Sequence, residues 1–165
     1  MATENLLNDK KILIVDDDLD LLETLEDLLD MCRIEKASDF DQARKLLVNQ
    51  DFDMVILDIM GVDGYKLLEI AHNKGVPAVM LTAHALSPGD AVKSFKNGAD
   101  SYVPKDKIAE ITTFLSDVLE AKAQGKHPWW RWLERFGDFF ARRFGADWQK
   151  RDDAFWENIA RFGPY

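Results

Sequence analysis

Asp58 closes the apolar run 54–57 in MVILD, where folding alone gives no reason to bury a carboxylate. Asp16, Asp17 and Asp18 follow KILIV in the same way, Thr82 closes PAVMLT, and SYVP leads through Tyr102 to Lys105. Each residue alone has an ordinary reading: a helix cap or loop for the aspartates, a turn residue for Thr82, a solvated charge for Lys105. Their joint placement at the ends of four apolar runs argues against all of these together. Three acidic groups brought together from two strands repel one another, and their pKa values rise unless a cation compensates. A hard divalent ion with oxygen ligands meets that need. Mg2+ is favoured because it uses one or two carboxylates, keeps several waters and accepts phosphate oxygens. Thr82 offers a hydroxyl and Lys105 a compact positive charge to the oxygens of a phosphoryl group. The set reads as phosphoryl transfer to or from a carboxylate.

Regular elements must bring these residues together. KILIV is a continuous apolar run of the kind buried on both faces of a sheet. Leu21, Leu22, Leu25, Leu28 and Leu29 then recur at helical spacing, with Cys32 as core filler in the helical-looking LLDMCRI. RIEKA fits a short strand, and SDFDQARKLLVNQ a helix capped by Ser38 with Phe40, Ala43, Leu46 and Leu47 inward. MVILD is the third strand, GYKLLEIAHNK a helix closed by Gly75, and PAVMLT the fourth strand. Ser87 with Pro88 starts the next helix, which ends at Gly98. SYV and DKIAEITTFLSDVLEAK supply the last strand and helix, the latter with Ile108, Ile111, Phe114, Leu115, Val118 and Leu119 on one face. Five strand-helix units predict an α/β fold with a parallel sheet covered on both sides, and such folds gather their chemistry at the carboxyl ends of the strands.

Composition sets the frame around that unit. At 165 residues the chain has room for one ordinary domain and a modest appendage. Its net charge of -9 argues against nucleic-acid binding through a basic surface. No apolar stretch approaches the roughly 20 residues needed to span a bilayer. The start MATENLLNDKK lacks the pattern of a secretory signal, and the lone Cys32 suits a reducing compartment, so a cytoplasmic location is expected. Charge and aromatics divide the chain: residues 126–165 hold 8 Lys/Arg against 6 Asp/Glu, all five Trp and six of the ten Phe, whereas residues 1–125 hold 13 Lys/Arg against 24 Asp/Glu. That shift places a boundary at 121–126.

The motifs ILIVDDD, LDIMGVDG, LTA and YVPK resemble those of the receiver domain of two-component response regulators, from residue 10 to about residue 122. The resemblance implies a flavodoxin-like fold with strand order 2-1-3-4-5 over residues 1–125. It makes Asp58 the phosphoacceptor, supplied by a phosphohistidine on a partner histidine kinase or phosphotransfer protein. Asp17 and Asp58 would bind Mg2+ directly and Asp16 through water, with the Met60 backbone carbonyl as a further ligand. Thr82 and Lys105 would contact the phosphoryl oxygens, and Thr82 and Tyr102 would act as the switch, Tyr102 turning inward as Thr82 moves. A chain of this kind is not an enzyme acting on other substrates; it catalyses only its own phosphorylation and dephosphorylation.

The family's usual proline after the loop methionine is Gly61 here, which predicts a more flexible loop. Its usual Lys-Pro is Lys105-Asp106, with Pro104 before the lysine, and the 58–82 segment is shorter than usual. Haloacid-dehalogenase-like phosphatases share an Asp nucleophile, a Thr or Ser, a Lys and an acidic pair around magnesium. In them the nucleophile comes early and the pair last, whereas here Asp16 and Asp17 precede Asp58. A nucleotide-binding first turn fails for want of glycines in DDDLD.

The tail from residue 126 does not resemble the DNA-binding output domains common in the family, and no direct DNA binding is expected of it. From Pro128, Trp129, Trp132, Leu133, Phe136, Phe140 and Phe144 form one helical stripe ending near Gly145. A second helix from Asp147 would group Trp148, Phe155, Trp156, Ile159 and Phe162 into a helical hairpin. Such a hairpin cannot bury its own aromatics. They must cover the receiver, a second copy through self-association, or a downstream protein target. A membrane surface is a further alternative, since Arg131, Arg135, Arg142 and Arg143 accompany the rings.

Overall fold

The structure is a computed structural model and describes residues 6–82, 88–150 and 155–157. Strand and helix alternate as β1 (Lys11–Val15), α1 (Leu19–Leu28), β2 (Arg33–Ala37), α2 (Phe40–Asn49), β3 (Met54–Asp58), α3 (Gly64–Lys74), β4 (Ala78–Thr82), α4 (Pro88–Lys96), β5 (Ser101–Pro104) and α5 (Ile111–Ala123), followed by α6 (Trp129–Phe144). The strands form one parallel five-stranded sheet among the described residues, in the order β2-β1-β3-β4-β5. Every residue of β3 and β4 is buried. That is the expected fate of continuous apolar runs in a sheet covered on both faces.

Register turns this topology into a site. Val15 lies opposite Leu57, so Asp16 and Asp58 emerge side by side from β1 and β3. Asp58 lies opposite Leu81, and Thr82 opposite Pro104, so Thr82 and Lys105 emerge next in line. A slip of one residue in any pair would turn one of these side chains to the other face of the sheet.

Local chemistry moves several predicted boundaries. The cap of α2 is Asp39, not Ser38: the Asp39 carboxylate accepts from the Gln42 amide at 2.8 Å, while the Gln42 side chain accepts from the Ser38 amide at 2.8 Å. This reciprocal pairing satisfies two donors at once, which Ser38 alone could not do. Helix α1 stops at Leu28, so Cys32 lies in the bend before β2, half-buried, with its thiol donating to the Leu7 carbonyl. The last receiver helix is preceded by a 3-10 turn, Lys105–Glu110, a tighter geometry common at helix N-termini. The Ser87 start of α4 lies outside the described residues.

Helix α6 lies on the β5 side of the sheet. Its Trp132, Phe136 and Phe140 are buried, and Trp129 and Leu133 pack beside them. Trp148 and Trp156 are buried against the same cluster. Residues 147–149 form a turn rather than the start of a second helix; residues 155–157 are helical, and Ile159 and Phe162 lie outside the described residues. The stripe is therefore used within the chain. Phe144, at the end of the stripe, remains 36% exposed. Among the described residues no helix is long and apolar enough to cross a membrane.

Candidate functional site

The three strand-end aspartates divide into two roles. Asp18 is the cap of α1, its carboxylate accepting from the amides of Asp20 at 3.0 Å and Leu21 at 3.3 Å. Asp16 and Asp17 face the site. Asp16 is fully buried, Asp17 is exposed and Asp58 is 5% exposed, and one oxygen from each lies within 4.8 Å of the others.

Lys105 ties the buried pair together. Its ammonium lies 2.7 Å from Asp16 Oδ2 and 3.0 Å from Asp58 Oδ1. The other Asp16 oxygen accepts from the Asp18 amide at 2.9 Å, and Asp58 Oδ2 accepts from the Gly61 amide at 2.9 Å. Burial pushes the Asp16 carboxyl above its usual range; the bond from Lys105 opposes this, and the charge of Asp58 adds to it. Burial works to lower the Lys105 pKa, but Asp16 and Asp58 outweigh it and hold the ammonium above its ordinary value. Lys105 therefore stays charged at neutral pH beside two carboxylates and a buried Thr82.

Two glycines shape the loop after β3. A Cβ on Gly61 would stand 2.5 Å from the Asp17 carboxyl carbon, so the bare backbone leaves room for that carboxylate. A Cβ on Gly64 would stand 2.1 Å from the Asp58 carbonyl oxygen, so α3 starts against the backbone of the central aspartate. Asp63, just before, has φ 60, the left-handed region that non-glycine residues seldom adopt. Gly61 was readable as a departure from a motif; Gly64 carried only the weak signal of Asp-Gly before a helix. Met60 is 75% exposed. Tyr102, expected to turn inward on switching, is already fully buried here, because the α6 cluster roofs it: its ring lies 6.4 Å from that of Trp132.

The residues present fit a hard divalent cation. Three carboxylates converge, and oxygen donors of this kind suit magnesium or calcium and not a soft metal. Among the described residues one ammonium, that of Lys105, pairs with both members of the buried pair.

A family model described as the response regulator receiver domain matches residues 12–116, more than half of the chain. The transcriptional regulatory protein CpxR of Klebsiella pneumoniae is 41% identical over 117 residues, covering 64% of this chain and 49% of that protein. The heme response regulator HssR of Staphylococcus haemolyticus is 37% identical over 116 residues, covering 66% and 51%. The chain thus spans about half the length of the curated relatives it matches. Among solved structures, a Burkholderia pseudomallei response regulator with a phosphorylated aspartic acid, calcium ion and citrate is similar at a TM-score of 0.59 and 25% identity, over 71% of this chain and 73% of that one. A putative response regulator from Chloroflexus aurantiacus matches at 0.61 and 27%, over 68% and 99%.

The names of the relatives overturn one expectation, that direct DNA binding plays no part. Relatives of this receiver are named regulators of transcription. The expectation rested on the charge of -9 and the aromatic tail. Neither is a guide to such a role, since the match covers only about half of those relatives. The haloacid-dehalogenase alternative is left without support. By the match over residues 12–116, this chain belongs to the response regulator receiver domain family.

Proposed function

We propose that the chain is a phosphoacceptor of a two-component phosphorelay, taking a phosphoryl group onto Asp58 from a phosphohistidine of a partner histidine kinase. The observation that carries this reading is the bridge from Lys105 to Asp16 at 2.7 Å and to Asp58 at 3.0 Å, with the buried Thr82 at the end of the neighbouring strand. An Asp58 oxygen attacks phosphorus in line as the phosphorus-nitrogen bond to the donor imidazole breaks, and the imidazole nitrogen keeps the electron pair. Such a transfer asks the protein mainly for positioning and charge neutralisation.

The residues divide that work. The Gly61 amide holds one Asp58 oxygen at 2.9 Å and so orients the carboxylate. Lys105 stays protonated and neutralises the transferred oxygens, with the Thr82 hydroxyl as a second donor. Asp16, Asp17, Asp58 and the Met60 carbonyl would hold Mg2+, which when bound supplies further positive charge at the phosphoryl oxygens. The product adds roughly two negative charges at one point, and this change is the signal. Thr82 and Tyr102 form the switch that reads it, Tyr102 from a ring already buried beneath α6. The chain acts on no substrate but its own aspartate, with residues 1–125 as the receiver unit, residues 126–165 as its extension, and the cytoplasm as its place.

Intact mass after incubation with acetyl phosphate and Mg2+ tests the reading. The native chain should gain one phosphate and Asp58→Asn none. No mass gain in the native chain would refute it.

A further inference from the structure

Strand β5 joins the acidic pocket to the aromatic helix. It is an edge strand, and the carbonyls of such a strand need partners. Trp132 donates its indole N–H to the Tyr102 carbonyl at 2.7 Å, and Trp129 donates to the carbonyl of Ala99, just before the strand, at 2.8 Å. The other end of β5 runs through Pro104 into Lys105, which bridges Asp16 and Asp58. One four-residue strand is thus held by an indole on its outer side, with a second indole on the segment leading into it, and by two carboxylates through the lysine at its end.

The helix also holds the elements on either side of β5. The Trp132 ring lies 5.0 Å from Phe95 of α4, and the Phe136 ring 4.9 Å from Phe114 of α5. Arg131 pairs with Asp117 of α5 at 3.5 Å, and Arg135 pairs with the same carboxylate. All these contacts survive together only while α4, β5 and α5 keep their present spacing.

We propose that α6 is an intramolecular occupant of the α4-β5-α5 face whose grip is linked to the charge at Asp58, so that phosphorylation loosens α6 and weakening α6 favours phosphorylation. The proposal rests on Asp58 being the phosphoacceptor. A phosphoryl group there draws Lys105 inward, away from the share it now gives Asp16. Pro104, at φ -65, stiffens the link, so the pull passes into β5 instead of being absorbed in a turn. The pull moves β5 away from the indoles outside it, and hydrogen bonds weaken when stretched or misaligned. Linkage makes the effect reciprocal.

Hydrogen exchange of residues 129–144 in the full chain tests this, in Mg2+ alone and in Mg2+ with acetyl phosphate, with intact mass read on the same samples. Exchange in α6 should speed up by about threefold or more in phosphorylated chain, and Asp58→Asn should show no change. Added phosphate with unchanged α6 exchange overturns the inference while the phosphoacceptor reading stands. No added phosphate overturns that reading, and this inference falls with it. In the reverse direction, Trp132→Phe keeps a ring and removes the N–H, and should raise the ratio of phosphorylated to unphosphorylated chain at steady state with acetyl phosphate and Mg2+ by about twofold or more. An unchanged or lower ratio overturns the proposal; should that variant fail to fold by circular dichroism, Trp129→Phe is held to the same criterion.

Discussion

Replacing Gly64 with alanine should damage this protein far more than replacing Gly61, although both glycines lie in the loop that carries Asp58. At Gly64 the new Cβ would meet the backbone of the Asp58-Ile59 segment: the Asp58 oxygen at 2.1 Å, the Ile59 Cα at 2.9 Å and the Asp58 carbonyl carbon at 3.0 Å. Carbon-oxygen contacts settle at about 3.3–3.6 Å, so the start of α3 must retreat by about 1 Å. That retreat strains the Gly64 amide bond to the Ile59 carbonyl, now 3.1 Å. Overpacking costs about 1–3 kcal/mol and a weakened hydrogen bond about 1 kcal/mol. The lower chain entropy of alanine returns at most about 1 kcal/mol, so overpacking wins and the net loss is about 2 kcal/mol.

At Gly61 the obstacle is instead the exposed Asp17 carboxylate, at 2.5 Å, which can rotate away. The stability cost there should stay within about 0.5 kcal/mol. Urea unfolding measures both. With a slope of about 2 kcal/mol per molar, Gly64→Ala lowers the midpoint by about 1 M, while Gly61→Ala leaves it nearly in place. A native-like midpoint for Gly64→Ala, or equal damage from the two substitutions, would refute the reasoning.

Three further outcomes follow from the ionisable groups. Burial, with the charge of Asp30 second, pushes the Cys32 thiol up to about 11 from an ordinary 9.0. At pH 8 the thiolate is then about 100-fold scarcer than in a free thiol, so iodoacetamide should label native chain far more slowly than urea-unfolded chain. Burial holds His127 below the ordinary 6.5, against the charge of Asp100 and with help from Lys122. Its stabilising contribution is full above pH 6.5 and is lost as pH falls through the folded value. Because His127 Nδ1 accepts from the Trp129 amide at 3.3 Å, the protection of that amide, its exchange rate relative to the intrinsic rate at the same pH, should fall on acidification, and His127→Gln should remove that dependence. For Asp16, raised first by burial, the sign is opposite: its contribution is greatest below pH 3.8 and is lost as pH rises through the folded value. Asp16→Asn should therefore raise the metal-free unfolding midpoint at pH 7, and Mg2+ should stabilise native chain more than the variant, as thermal unfolding would show.

Much of the fold was legible because it depends on local pattern. Continuous apolar runs marked β1, β3 and β4, whose burial on both faces allows no polar alternation, and each ended on a residue with chemistry to offer. Helix spacing marked the inward leucines of α1 and the stripe of α6. The cap of α2 was misplaced by one residue because Ser38 and Asp39 are both good caps, and only the reciprocal Gln42 pairing separates them.

The sequence by itself determined which groups stand at strand ends and which helix faces are apolar, because the first follows from where continuous apolar runs stop and the second from a period of 3.6 residues along the chain. Tertiary structure decided the rest. It separated Asp18, a cap, from Asp16 and Asp17, placed Lys105 between Asp16 and Asp58, set Gly64 against the backbone of Asp58, and laid the α6 aromatics over β5. Each of these depends on register and packing between segments far apart in the chain, and a local pattern carries no record of which distant partner it will meet.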